Sequence, residues 1–221
     1  MAEQADIYVH HRLDCAPRQW KVVADRLAGD GRSAIENDGG MLYGIWRSQI
    51  GRPRDELTAI TCWRDRAPTE DRFAALFGAL QGLRAHDVQA MAATLRPTSA
   101  TPPTRQGNFA FRWFETPTAH WDEFLALSAK GWPDFEAAYD SQVIGLWRIV
   151  GREAIAGMVR SLLLTRRPDL AMWERSKIPQ GAKEAAMRET FNRRYDLCDS
   201  TVVYTTTLLT ATDREDTARW T

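Results

Sequence analysis

The sequence predicts an α+β fold made of two tandem βαββαβ repeats. Three observations predict it. A Gly-x-Trp-Arg tetrad occurs twice, as Gly44-Ile45-Trp46-Arg47 and Gly145-Leu146-Trp147-Arg148, at an offset of 101 residues. Trp20, Val23 and Ala24 meet Trp121, Phe124 and Leu125 at that same offset. With one residue dropped, Ile50-Gly51-Arg52 meets Val150-Gly151-Arg152, and Phe73 meets Trp173. Trp is a rare residue, so its recurrence at a fixed offset marks a duplicated unit. Residues 97–104, rich in Pro, Ser and Thr, carry no periodicity and read as a connection. The expected division is 1–97 for the first repeat, 98–107 for the linker and 108–221 for the second.

The elements follow in order. Residues 7–13 read as a strand. Trp20, Val23, Ala24 and Leu27 stand at i, i+3, i+4 and i+7, one face of a helix, which Gly29-Asp30-Gly31 is expected to end. Residues 41–49 and 57–64 form a hairpin around Gly51-Arg52-Pro53. Pro68 and Thr69 open a helix with Phe73, Leu76, Phe77 and Leu80 on one face, and residues 88–95 close the unit. The second repeat has a strand at 108–114 and a longer helix bearing Trp121, Phe124, Leu125, Trp132 and Phe135. Its hairpin spans 141–150 and 155–165. A helix from Asp169 is broken at Pro179-Gln180-Gly181, another carries Met187, Phe191 and Tyr195, and the last strand covers 201–209. The order βαββαβ is the ferredoxin-like unit. Its helices cover one face of the sheet, leaving an apolar face that must also be covered. Two copies solve this by packing sheet to sheet, as an intramolecular dimeric α+β barrel.

Charge narrows the function classes. Lys and Arg total 29 against 29 Asp and Glu, and the balance holds in each half. A neutral chain lacks the basic footprint of a nucleic-acid binder and the polybasic segment of a membrane-surface protein. No apolar run reaches the ~18 residues of a spanning helix, and the opening residues do not read as a signal peptide. Cys15, Cys62 and Cys198 have no C-x-x-C spacing, so they read as reduced thiols of a cytoplasmic protein. Glycine-rich phosphate loops, nucleophile elbows and metal-ligand spacings are absent from the sequence. No cofactor and no metal are therefore expected.

The hairpin carries a resemblance. Gly44-x-Trp46, then Gly51 and a short polar turn, then Ile60-x-x-Trp63-Arg64 resembles the signature hairpin of the NIPSNAP family, in the dimeric α+β barrel superfamily. The second copy keeps Gly145-x-Trp147 and Gly151, with Leu164 or Thr165 where Trp63 would recur. The superfamily includes cofactor-free monooxygenases, polyketide cyclases and haem proteins. The resemblance implies a ligand held between the helices and the sheet of one unit.

Candidate site residues come from the strands. His10 and His11 alternate to opposite faces of the first strand. His11 shares the apolar face with Val9 and Leu13, where an imidazole serves either as a general acid/base or as a hydrogen-bonded core residue. Phe111 and Arg112 occupy these places in the second copy, so histidine chemistry is expected in the first half. On the hairpin, alternation groups Tyr43, Ile45 and Arg47 against Leu42, Gly44 and Trp46. Catalysis is assigned to His11, His10 and Tyr43, and substrate binding to Trp46, Arg47, Trp63, Trp147 and Arg148. The alternative for the two Gly-x-Trp tryptophans is simple core packing. His86 reads as a helix cap, and His120, at a helix start, is the one histidine in the second half.

The reading that unites these features is a cofactor-independent enzyme acting on a hydrophobic, aromatic or polyketide-like small molecule by acid/base chemistry, as a cyclase, lyase, isomerase or monooxygenase. The alternative is a non-catalytic ligand-binding or protein-interaction protein, and haem binding stands third. An internal pseudo-dimer is compatible with a monomer or a homodimer.

Overall fold

The computed structural model describes residues 6–151 and 156–213. Arg152 and the start of the expected strand at Ile155 lie outside the described residues. The described residues form two compact units, 6–92 with 99–106 and 205–213, and 93–98 with 107–204.

The first unit contains β1 (Asp6–Cys15), α1 (Trp20–Arg26), α2 (Arg32–Asn37), β2 (Gly40–Ile50), β3 (Glu56–Arg64), α3 (Glu70–Gly78) and most of β4 (Leu83–Arg96). The second contains β5 (Asn108–Pro117), α4 (Trp121–Tyr139), β6 (Gln142–Ile149), β7 (Met158–Arg167), α5 (Leu170–Arg175), α6 (Ala182–Asp196) and the start of β8 (Ser200–Leu208). The units do not follow the sequence boundary, because two strands run longer than their apolar cores suggest. The end of β4, residues 93–96, belongs to the second unit, and the end of β8, residues 205–208, belongs to the first. In each unit the sheet is antiparallel. β1 pairs β3 and β4 in the first, with β2 on the far side of β3. In the second, β5 and β6 flank β7.

Local chemistry explains most boundaries. Thr69 caps α3 by accepting the Arg72 amide, with Glu70 and Asp71 in the first turn against the helix dipole. Asp169 caps α5 by accepting the Met172 amide at 2.7 Å. Gly29-Asp30-Gly31 does not stop the first helix as expected. Leu27–Gly31 forms a π-helical turn and the chain continues into α2, because Ile35 is then fully buried in the core of this unit.

The hairpins contain a repeated β-bulge. Leu42 pairs Thr61 and Gly44 pairs Ile60, which leaves Tyr43 as the extra residue. Ile144 is the extra residue in the second hairpin. The bulge corrects the simple alternation. Leu42 joins Ile45 in the core beneath the helices, while Tyr43 packs edge-on against Tyr8, with ring centroids 5.4 Å apart.

The bulge is followed by the repeated Gly-x-Trp. A Cβ at Gly44 would lie 2.4 Å from the Trp46 ring, and one at Gly145 would lie 2.3 Å from the Trp147 ring. Each indole folds over its own glycine, and both are fully buried. The motif that marks the repeat is therefore a packing device.

Candidate functional site

The helix-facing side of the two sheets begins from one plan and diverges in content. His11 stands opposite Ala59, and Ile7 opposite Trp63. In the second unit Arg112 stands opposite Leu163, and Asn108 opposite Arg167. Position by position, His11, Thr61 and Trp63 correspond to Arg112, Thr165 and Arg167. The repeat offset places Leu164 or Thr165 against Trp63. The register sets Arg167 there, because the second hairpin is three residues longer.

In the first unit these residues fill the space between sheet and helices. Trp63 donates its Nε1–H to the Thr61 hydroxyl at 2.7 Å. His11 Nε2 meets the same hydroxyl at 2.8 Å, and His11 Nδ1 meets His86 Nε2 at 2.9 Å. Phe77 of α3 stacks on both imidazoles, with centroids at 4.5 Å. Burial drives the His11 pKa well below its ordinary value, helped by His86 and His10, and it lowers His86 to about 4. Both rings are neutral at neutral pH, and both nitrogens of His11 are engaged. His86 is therefore a mid-strand partner of His11 on β4, not a helix cap.

The other expected residues are dispersed. His10 is buried on the opposite face of β1, the side of Tyr8, so His11 and Tyr43 do not converge. Arg47 is buried with its guanidinium 3.7 Å over the Trp20 ring, and desolvation lowers its pKa. Trp63 belongs to the core network. Arg148 is exposed, and neither it nor Trp147 lines the cavity described next. Glu56, buried at the start of β3, accepts from Arg12 Nε at 2.8 Å and lies 3.7 Å from Arg52 of the hairpin turn.

The second unit opens where the first is filled. A cavity of about 190 Å³ lies against β5 and β7, beneath α4, α5 and α6. Phe114, Trp132, Phe135 and Trp173 give its apolar walls, and Ala110, in the place of Val9, widens it. Its charged groups are all cationic: Arg112, Arg167, Arg188 and Arg194 line it, with no Asp, Glu or His among the described residues. Arg167 lies 4.9 Å over Phe135 and 4.6 Å over Trp173, and its Nη1 donates to Thr165 at 3.2 Å. Arg194 lies 4.8 Å over Phe191 and donates to Ser128 at 3.3 Å. Burial, reinforced by repulsion from Arg112, lowers both guanidiniums to about 10. Both remain charged at neutral pH.

The roof is clamped. Arg175 of α5 forms a two-pronged pair with Glu184 of α6, at 2.9 and 2.7 Å. Glu184 also accepts from Tyr139 at 3.1 Å and from the Gln180 amide at 2.7 Å. Charge-assisted bonds of this kind hold its carboxyl down at about 2.

Sequence reasoning missed these arginines, although the signals were present. Ala110, Arg112 and Phe114 alternate on the apolar face of one strand, and Met187, Phe191 and Arg194 stand at i, i+4 and i+7 on one helix face. A charge embedded in an apolar stripe is the informative observation.

No protein-family model and no curated protein matches the chain. Solved structures do. A candidate monooxygenase from Lactobacillus acidophilus is 14% identical, with a TM-score of 0.55 over 91% of this chain and 93% of its own. An anthrone oxidase-like protein is also 14% identical, with a TM-score of 0.61 over 94% and 93%. A mutant chlorite dismutase from Candidatus Nitrospira defluvii is 8% identical, with a TM-score of 0.60 over 94% and 92%. The fold is α+β, of the dimeric α+β barrel type. At these identities the likeness shows the fold alone.

Haem, the third reading drawn from the sequence, does not fit the residues that line the cavity. His120 Nδ1 is 3.4 Å from the Leu197 carbonyl at the start of α4 and does not line the cavity. Among the described residues the cavity offers neither His nor Cys as an axial ligand, and of its two tyrosines Tyr139 is bound to Glu184 and Tyr195 is largely exposed. Among the described residues no group of three or more His, Cys, Asp or Glu could hold a metal ion. No described helix is long and apolar enough to cross a membrane.

Proposed function

We propose that the chain is a small-molecule enzyme, working without a bound cofactor, that takes a hydrophobic aromatic or polyketide-like substrate into the cavity of the second unit. The cavity itself carries this reading. It is an aromatic-walled concavity of about 190 Å³ in the place that the first unit fills with His11, Phe73, Phe77 and Trp63. Small-molecule sites take this form, apolar walls with a few converging polar groups. An engineered apolar cavity of about 150 Å³ holds benzene, so the space suits one or two fused rings.

The chemistry follows from the walls. Cationic donors in a desolvated site favour the ionised form of a bound phenol or enol, and so lower its pKa. The proton leaves to water, since His11 is engaged within the first unit and no histidine or carboxylate lines the cavity. Monooxygenase, cyclase, lyase or isomerase chemistry on such an anion is supported by the fold of the candidate monooxygenase and the anthrone oxidase-like protein. The NIPSNAP-like hairpin and a cytoplasmic monomer or homodimer complete the proposal. The absence of a general base from the wall favours a second reading, a carrier that binds the same class of molecule without converting it.

The test is incubation of the protein with 1-naphthol, a two-ring phenol, in air, followed by mass spectrometry of the product, alongside the cavity-filling variant Ala110→Phe. The enzyme reading expects turnover in the parent and its loss in the variant. Binding without turnover supports the carrier, and turnover that survives the filled cavity contradicts the proposed site.

A further inference from the structure

We infer that the natural ligand of the second unit is an aromatic carboxylate, its ring in the apolar space and its two oxygens on Arg112, Arg167 and Arg194. The inference rests on the proposed reading of the cavity and adds the class of ligand.

Its first support is a charge imbalance. Four guanidiniums line the cavity, and among the described residues no carboxylate does. None of the four forms an ion pair within the described residues, although neighbouring arginines do: Arg193 pairs Glu123, Arg175 pairs Glu184 and Arg96 pairs Glu136. Arg193 and Arg194 are consecutive on α6. One turns outward to a carboxylate, and the other is only 8% exposed and turns into an aromatic shell. Burying like charges together without counter-charge is costly, and a bound anion relieves both the desolvation and the repulsion.

The second support is an excess of donors. The Nε groups of Arg167 and Arg194 and the indole Nε1 of Trp132 are buried without a hydrogen-bond partner among the described residues. All three residues line the cavity. The three unpartnered groups are all donors, and they call for a ligand group that accepts. An ionised carboxylate offers two oxygens and no donor, in the planar form that a guanidinium fork matches. The flat aromatic walls fit a ring coplanar with such a group.

The third support is the comparison between repeats. At equivalent positions the first unit closes a neutral network from His11, Thr61 and Trp63. The second retains the threonine as Thr165 and sets Arg112 and Arg167 around it. The same backbone frame thus supports a filled core in one copy and a cationic site in the other.

The test is calorimetric titration of the full chain at neutral pH with 2-naphthoate and with 2-naphthamide, which matches it in size and lacks its charge. Naphthoate is expected to bind at least about tenfold tighter than the amide. Arg112→Met is expected to cost naphthoate about tenfold or more while leaving the amide within about threefold. Arg167→Lys, which keeps the charge but loses the fork, serves as a second variant should Arg112→Met fail to fold, and it is expected to weaken naphthoate selectively. With carboxyl-labelled naphthoate, carbon NMR should show the bound carboxyl pKa lowered by about one or more. Equal affinity for acid and amide overturns the carboxylate inference and leaves the cavity reading standing. Binding of neither ligand overturns the cavity reading and the inference with it.

Discussion

Replacing Arg194 by Met should make the ligand-free protein more stable. Arg194 is held against Phe114, Phe124 and Phe191 and donates to Ser128. Those contacts favour the charged form. Its pKa nevertheless falls from the ordinary guanidinium range to about 10, through burial first and the Arg112 charge second. At about 1.4 kcal/mol per pKa step, the charged form is disfavoured by roughly 3 kcal/mol relative to a solvated guanidinium. Met fills similar space, keeps contact with the aromatic rings and needs no counter-ion. Ser128 keeps its bond to the Phe124 carbonyl at 2.8 Å. Replacing buried charge by apolar volume elsewhere gains about 1–4 kcal/mol. A gain of about 1–3 kcal/mol is expected here, or roughly 3–10 °C in Tm for a chain of this size. Differential scanning calorimetry of both proteins without ligand measures it, and naphthoate titration should show weaker binding by the stabilised variant. A fall in Tm with the native circular dichroism spectrum retained would refute the argument, since it would mean that the charge is compensated within the fold.

Further expectations follow from the packing and the titrating groups. Gly145→Ala sets a methyl 2.3 Å from the Trp147 ring, so urea denaturation should show a loss of about 2–3 kcal/mol, with Gly44→Ala similar. The depressed pKa of His86, about 4 against 6.5 unfolded, means that the unfolded chain binds the extra proton first. Stability is complete above pH 6.5 and is lost as the pH falls toward 4, with His11 acting in the same direction. The urea midpoint should fall through that window, and His86→Gln should flatten the slope by about one proton. A midpoint unchanged between neutral pH and pH 4.5 would contradict the neutral imidazole pair. Burial pushes the thiols of Cys15 and Cys62 to about 12 and 11, so neither should react with iodoacetamide in the native protein at neutral pH, and both should react in urea.

The sequence carried the architecture because duplication left large aromatic markers at a constant offset, and because the helical faces of Trp20 to Leu27 and Phe73 to Leu80 are regular. It carried the site less well, for two physical reasons. A bulge at Tyr43 shifts alternation by one residue, so residues grouped by parity separate onto two faces. The longer second hairpin moves β7 out of the offset that β6 obeys, which hid the correspondence of Trp63 with Arg167. Arg112 is the counterpart of His11, and of the two only the histidine titrates near neutrality as a free side chain, so composition alone points to the histidine. The histidine forms part of a closed core, while its arginine counterpart faces open space. Pairing of Arg112, Arg167 and Arg194 depends on contacts between distant segments, which no local pattern encodes.

The most direct test of the central claim, that the second unit holds a ligand between its helices and its sheet, is titration of 2-naphthoate into the parent protein and into Ala110→Phe. The variant fills the cavity from β5 while leaving every arginine in place. Saturable binding by the parent, lost in a variant that still melts cooperatively, is the predicted result. Equal binding by both proteins would mean that the ligand sits elsewhere and would contradict the account.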